Sequence, residues 1–391
     1  MIKPSYVATM LFLLYGPRLF GSLLVDFTIL PIFWLSILYL RSNSNLIIPK
    51  SFITIFYTLS VLICSAILIS ISKQTYDFIH IFKLLRALLG GLIFVLFGWI
   101  LYLRGLSKEH LIEIFIWAVV SHSLIVIFQF FLQDFAIFIN MINGYPGAAS
   151  RPTGLTWSLN ASAIPSAFAI FLILDQKKSH FLKLILIIFS MFLMGRTSFL
   201  LMIIIIFVRI FMNMNFKNFM QLGLSILIVS ISILPLIEYL LSIEELNIQV
   251  FQYLQIAQLL IGQISLEDTV FLAKLLETLQ SFIFFPETNT DLLFGSGLSG
   301  RESIYIASDM GWILNIFSFG IFGISIFIFL HLYLIFLSYK SSIHIPIIMI
   351  TVLILLVNFK ENLFFVRHVS AVYFFCLVYL SFEKNWFLVK K

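Results

Sequence analysis

The stretch FLKLILIIFSMFLMGRTSFLLMIIIIFVRIF, residues 181–211, decides how this chain is read. It is almost unbroken hydrocarbon. It is too long for one ordinary membrane-crossing helix of about 17 to 25 residues and short for two. At 195–198 the run is interrupted by GRTS, a glycine, an arginine and two hydroxyl residues, which divides it into spans at 181–194 and 198–212. A single crossing here would reverse every later segment and put the basic C-terminal tail on the outer side.

Outward from that stretch the composition is consistent. The 391 residues are 61% hydrophobic and 11% charged, with mean hydropathy +1.09, too little polar residue to cover a soluble domain. Runs such as LIFVLFGWILYL (92–103) lack the alternation of a barrel strand, so the spans are helices. Candidate spans fall at 6–23, 26–40, 51–71, 82–103, 111–132, 160–174, 181–194, 198–212, 219–240, 309–335, 344–358 and 363–380. The expected fold is therefore all-α, a polytopic membrane protein of about 12 transmembrane helices forming one domain over residues 1–391. The first hydrophobic stretch has no small-residue cleavage site after it and reads as a retained signal anchor. Cys64 and Cys376 lie inside apolar runs without the spacing of a metal site or disulfide framework. The net charge of +6 is scattered through short loops and forms no basic face for nucleic acid.

Membrane orientation accounts for most of that charge. With both termini inside, Lys3, Arg41, Lys50, Arg104, Lys108, Lys177, Lys178, Lys183, Arg209, Lys217, Lys340, Lys384, Lys390 and Lys391 face the cytoplasm, 14 of the 24 basic residues. Two long connections then lie outside, about 133–159 and about 241–308. In the second, LSIEELNIQVFQYLQIAQLLIGQISLEDTVFLAKLLETLQSFIFF (241–285) has apolar residues at helical spacing with acids and amides between them, the pattern of amphipathic helices over a membrane surface. Loops this long in a compact protein are more often functional than idle, so the chemistry is expected outside.

The remaining basic residues break the charge rule: Arg151, Arg196, Arg301, Lys360 and Arg367 outside, with Arg18, Lys83 and Arg86 within or at the outer ends of spans. Charges in or beside spans are costly and mark substrate paths. Arg196, Lys360 and Arg367 sit in very short turns and are expected to face one outer cavity. Guanidinium forks that stay charged suit a phosphate or pyrophosphate, although each arginine alone also fits a lipid-phosphate contact or an ion pair. Lys73 and Lys274 read as solvated surface charges. In LLFGSGLSGRESIYIASDMGWILNIFSFGIFG (292–323), Gly295, Gly297 and Gly300 permit tight turns before the tenth span, while Gly311, Gly320 and Gly323 permit close helix contact along it. Asp309 falls in the first turn of that span, either as a helix-start acid or as a carboxylate that deprotonates or orients an attacking hydroxyl; Glu302 is a weaker candidate for the same work. Gly154 is the expected turn that lets the Arg151 loop dip back toward the membrane.

Four stretches, RPTGLTWSLNASA (151–163), GRTSFLLMIII (195–205), LFGSGLSGRESIYIASDMGWILNIFSFGIFG (293–323) and NFKENLF (358–364), together resemble the O-antigen polymerase and ligase superfamily of bacterial membrane glycosyltransferases. The resemblance implies a GT-C-type helical enzyme, without metal or other cofactor, acting at the outer face of the cytoplasmic membrane on undecaprenyl-pyrophosphate-linked glycans. Donor and acceptor glycans, membrane lipid and a chain-length regulator protein are the partners it implies. Arg151 and Arg196 would bind the donor pyrophosphate, with Arg301, Glu302, Lys360, Arg367 and Gly154 in the substrate site and Asp309 in a catalytic place. Ligases of the superfamily carry a histidine where this chain has Asp309, which favours a polymerase of O-antigen, capsule or exopolysaccharide units over a ligase. A flippase for the same lipid-linked sugars is the rival from another class. It predicts polar residues deep in several spans and a two-half repeat; the span middles read as Leu, Ile and Phe, and no repeat is evident.

Overall fold

A computed structural model describes residues 2–16, 29–42, 44–143, 152–156, 161–176, 180–195, 198, 201–205, 223–224, 228, 285–298, 311–358, 363 and 366–387. Among them there is no strand. The helices are α1 (Pro4–Tyr15), α2 (Ile29–Leu40), α3 (Lys50–Ser72), α4 (Ile79–Leu103), α5 (Lys108–Phe131), α6 (Gln133–Ile142), α7 (Ala163–Asp175), α8 (Phe181–Met194), α9 (Asn289–Phe294), α10 (Gly311–Ser338), α11 (His344–Val357) and α12 (Arg367–Glu383). Four of these, α3, α4, α5 and α10, are long and apolar enough to cross a membrane. The predicted spans at 198–212 and 219–240 and the amphipathic loop helices lie almost wholly outside the described residues.

A helix that is apolar on every side is stable only where every side is covered. In α7 all residues from Ala163 to Leu174 are buried, and α12 is buried along nearly its whole length. These two helices form the centre with α4 and α5, while α2, α3, α10 and α11 show large apolar side chains such as Phe33, Tyr57, Phe336 and Leu356 on the outside. Close approach between α4 and α12 depends on glycine: a β-carbon at Gly91 would lie 2.5 Å from Phe374, and one at Gly98 would lie 2.6 Å from Val378. Both numbers rise together along the contact, so α4 and α12 run in the same direction.

Three boundaries differ from the sequence reading. The first span, expected over 6–23, is interrupted when α1 ends at Tyr15, because Gly16 takes an extended conformation (φ −46, ψ 126) before Pro17, a residue that disfavours helix in its predecessor. The first outer loop holds a helix of its own, α6, folded back on α5 with Ile137, Phe138 and Met141 exposed. Within α10 the backbone leaves the helical region at Gly320 (φ 64, ψ −174), a conformation open essentially to glycine alone. Gly320 thus breaks the helix and at the same place lets the backbone of α9 come close, since a β-carbon there would meet Leu293. The GRTS division itself has a structural counterpart, since α8 stops at Met194 and Gly195 has φ 146 before helical residues resume at 198 and 201–205.

At the end assigned to the cytoplasm, Glu383 closes α12 onto its neighbours. Its carboxylate accepts hydrogen bonds from Lys108 Nζ (2.7 Å), Ser342 Oγ (2.7 Å), the Ser342 amide (3.2 Å) and Ser341 Oγ. Burial pushes the Glu383 carboxyl upward, but these donors outweigh it and hold the group at about 2.

Candidate functional site

After α6 the chain returns into the bundle, and residues 152–156 are all buried. Gly154 makes the turn with φ +61, which an L side chain rarely adopts. Its amide donates to Gln129 Oε1 on α5 (2.7 Å), and its carbonyl accepts from Asn143 Nδ2 at the end of α6 (3.1 Å). Gln129 Nε2 in turn donates to Asn140 Oδ1 (2.9 Å), so one amide network ties α5, α6 and the returning segment together. Backbone that leaves a helix at membrane depth needs such partners, since lipid offers none.

Beneath Gly154 lies His122, nine residues before the end of α5 at Phe131 and so about 14 Å in from that end. A β-carbon on Gly154 would lie 2.2 Å from His122 Cε1 and 2.8 Å from Nε2, so only glycine lets the turn rest on the imidazole edge. The His122 ring stacks face to face on Tyr15 of α1, with centroids 3.8 Å apart and planes 2° from parallel. His368 of α12 is the next ring, 6.0 Å from Tyr15. Its Nδ1 is 2.7 Å from the carbonyl of Leu14, one of the acceptors left without a helical partner where α1 stops. That carbonyl can only accept, which makes Nδ1 the protonated nitrogen. Arg367 Nη1 reaches Gly16, lying 3.6 Å from where a β-carbon would stand, and Arg86 of α4 is close enough for its charge to act on His368.

Of the residues the resemblance places in the site, Gly154 and Arg367 are described, and the chain Gly154, His122, Tyr15, Gly16, Arg367 connects them. Arg151, Arg196, Asp309, Arg301, Glu302 and Lys360 lie outside the described residues, as do Arg18, Gly300 and Lys274. Tyr15, His122, His368, Gln129 and Asn143 were not anticipated. An ionisable residue within a span is a candidate functional residue by default, and that rule applied to WAVVSHSLIV (117–126) and to the RH pair at 367–368 would have found both histidines. Deep polar residues are also more frequent than expected: Ser190 Oγ donates to Ser123 Oγ (2.9 Å) between α8 and α5, and His331 is buried in the inner half of α10.

A second polar locus gathers at the same end. Lys73, expected as a solvated charge, pairs with Asp291 of α9 at 2.6 Å. Thr75 Oγ1 donates to the Gly297 carbonyl (3.1 Å), and the Ser296 amide donates to Phe317 O (2.8 Å) just before the break in α10. Gly295 (φ 93) and Gly297 (φ 73) supply the expected tight turns. Between α3, α4, α10 and α12 a small apolar cleft is lined by Leu59, Ala87, Phe327, His331, Tyr373 and Phe374.

Among the described residues the fold is an all-helical bundle with four helices long and apolar enough to cross a membrane and with large apolar side chains on its outside, an architecture compatible with a membrane protein. Comparison of the chain with protein-family models, curated proteins and solved structures finds no match.

Proposed function

We propose that this protein is an outward-facing glycosyltransferase of the bacterial cytoplasmic membrane, a polymerase that joins undecaprenyl-pyrophosphate-linked oligosaccharide repeat units. The observation that carries the reading is the return of the RPTG turn into the bundle at Gly154, linked through His122 and Tyr15 to Arg367. In the reaction an acceptor hydroxyl oxygen bonds to the anomeric carbon of the donor glycan. The bond from that carbon to the pyrophosphate oxygen breaks, and undecaprenyl pyrophosphate departs with the electron pair. Arg151 and Arg196, with Arg367, stabilise the charge that grows on the leaving group, a role in which fixed cations contribute several kcal/mol in a partly dry site. Asp309 orients the acceptor hydroxyl and takes its proton.

The test is surface polysaccharide on a gel. Deleting the gene is expected to remove long chains while single capped units remain, and complementation with Arg151→Ala or Arg196→Ala is expected to restore less than about one hundredth of wild-type chains. Full-length chains from both variants would refute the arginine site.

A flippase for the same lipid-linked sugars is the second reading, and two observations favour it: polar side chains deep in the bundle, and a membrane-length helix broken at Gly320. It predicts that deletion removes all lipid-linked units from the outer face, single units included.

A further inference from the structure

The interior beside Gly154 holds unpaired polar groups that helix packing does not explain. The His122 ring is fully buried, and neither nitrogen has a hydrogen-bond partner among the described residues. Asn143, whose amide nitrogen holds the Gly154 carbonyl, has its Oδ1 buried and likewise unpartnered there. The Tyr15 hydroxyl and the Ser166 hydroxyl on α7 lie near enough to interact, and neither has another hydrogen-bond partner among the described residues. Folded proteins pair nearly all such groups, and a neighbourhood with several left over destabilises the fold unless something else completes it.

We infer that His122 is a substrate-binding residue that reads a sugar hydroxyl of the lipid-linked glycan, with Tyr15, Ser166 and Asn143 completing the subsite. The inference rests on the glycosyltransferase reading above. Its chemistry follows from the inventory of the groups. A neutral imidazole presents one donor and one acceptor, and a tyrosine or serine hydroxyl presents both. A phosphate only accepts and would leave the imidazole lone pair unmatched; arginines match it better. Sugar hydroxyls donate and accept, so neighbouring ones can satisfy both nitrogens. Access requires the 152–156 segment to lift from the ring. Gly154 is held there through two side-chain amides, Gln129 and Asn143, which can exchange its backbone for sugar hydroxyls.

His122→Phe keeps the ring and its stack on Tyr15 while removing both nitrogens. The expected result with purified full-length protein is an unfolding temperature equal to or above wild type, together with a fall of at least about tenfold in polymer formed from purified lipid-linked repeat units. His122→Gln, which retains a donor and an acceptor, is expected to recover part of that loss. Polymerisation by His122→Phe at the wild-type rate overturns the inference, as does a folded His122→Gln with no recovery over His122→Phe. If wild-type protein itself forms no polymer from these units, the glycosyltransferase reading falls and takes the inference with it.

Discussion

Gly154 and Glu383 show how much single residues decide at opposite ends of this bundle. Gly154 combines a left-handed backbone with direct contact to His122, so a methyl group there meets two obstacles at once. Gly154→Ala is expected to cost about 2 to 4 kcal/mol, from the left-handed strain and the overpacking, and to lower the thermal unfolding midpoint in detergent. Glu383 acts through charge. Its folded pKa of about 2 lies below the roughly 4.3 of an unfolded glutamate, so the carboxylate stabilises the folded state fully above pH 5. That contribution is lost as pH falls from about 4.5 toward 2. Glu383→Gln is expected to cost about 1 to 2 kcal/mol at neutral pH, allowing for partial exposure to water, and to flatten the acid limb of an unfolding-versus-pH curve. An unchanged acid limb would mean that Glu383 is not held by Lys108 and the two serines. The glycine was legible as a turn in sequence. Its contact with His122 was not, because the two are 32 positions apart and only the fold-back of α6 brings them together.

Among the elements, α10 carries the clearest consequence. Beside its break at Gly320 the Phe317 carbonyl accepts from the Ser296 amide and hydroxyl, and Ser318 Oγ donates to Leu298 O (2.9 Å), so residues 295–298 dock where the helix opens. A β-carbon on Gly320 would stand 2.3 Å from Leu293 O. Gly320→Ala is therefore expected to weaken the docking by about 2 to 4 kcal/mol and to speed proteolysis within 285–298, as read by the fragments formed. Cleavage at the wild-type rate would show that the break does not hold the segment. Lys73→Ala, which removes a partly exposed ion pair to Asp291, is expected to cost less than about 1 kcal/mol and to matter less in high salt. The hydrophobic pattern locates α10 well but passes over Gly320, because one glycine among Phe and Ile leaves hydropathy unchanged. The positive φ that singles it out is a property of the backbone.

For the whole molecule, the parallel course of α4 and α12 and the gathering of Lys108, Ser341, Ser342 and Glu383 at one end fix which helix ends lie together. The charge bias assigns that end to the cytoplasm. A cysteine placed at residue 151 is then expected to react with a membrane-impermeant reagent on intact cells, and one at residue 384 only after permeabilisation. Reversed labelling would overturn the orientation. The apolar composition by itself determined that the chain is helical and built to span a membrane, since hydrocarbon forces each segment to satisfy its backbone internally. Glycine and proline positions in the sequence also determined several interruptions, at 154, 195, 295 and 297. Only the tertiary structure decided that His368 receives the free Leu14 carbonyl at the end of α1, and that Tyr15 and His122 stack under the returning turn. Those contacts join α1, α5 and α12, segments more than a hundred residues apart, and periodicity reports only which face of a helix is covered, never which distant side chain covers it.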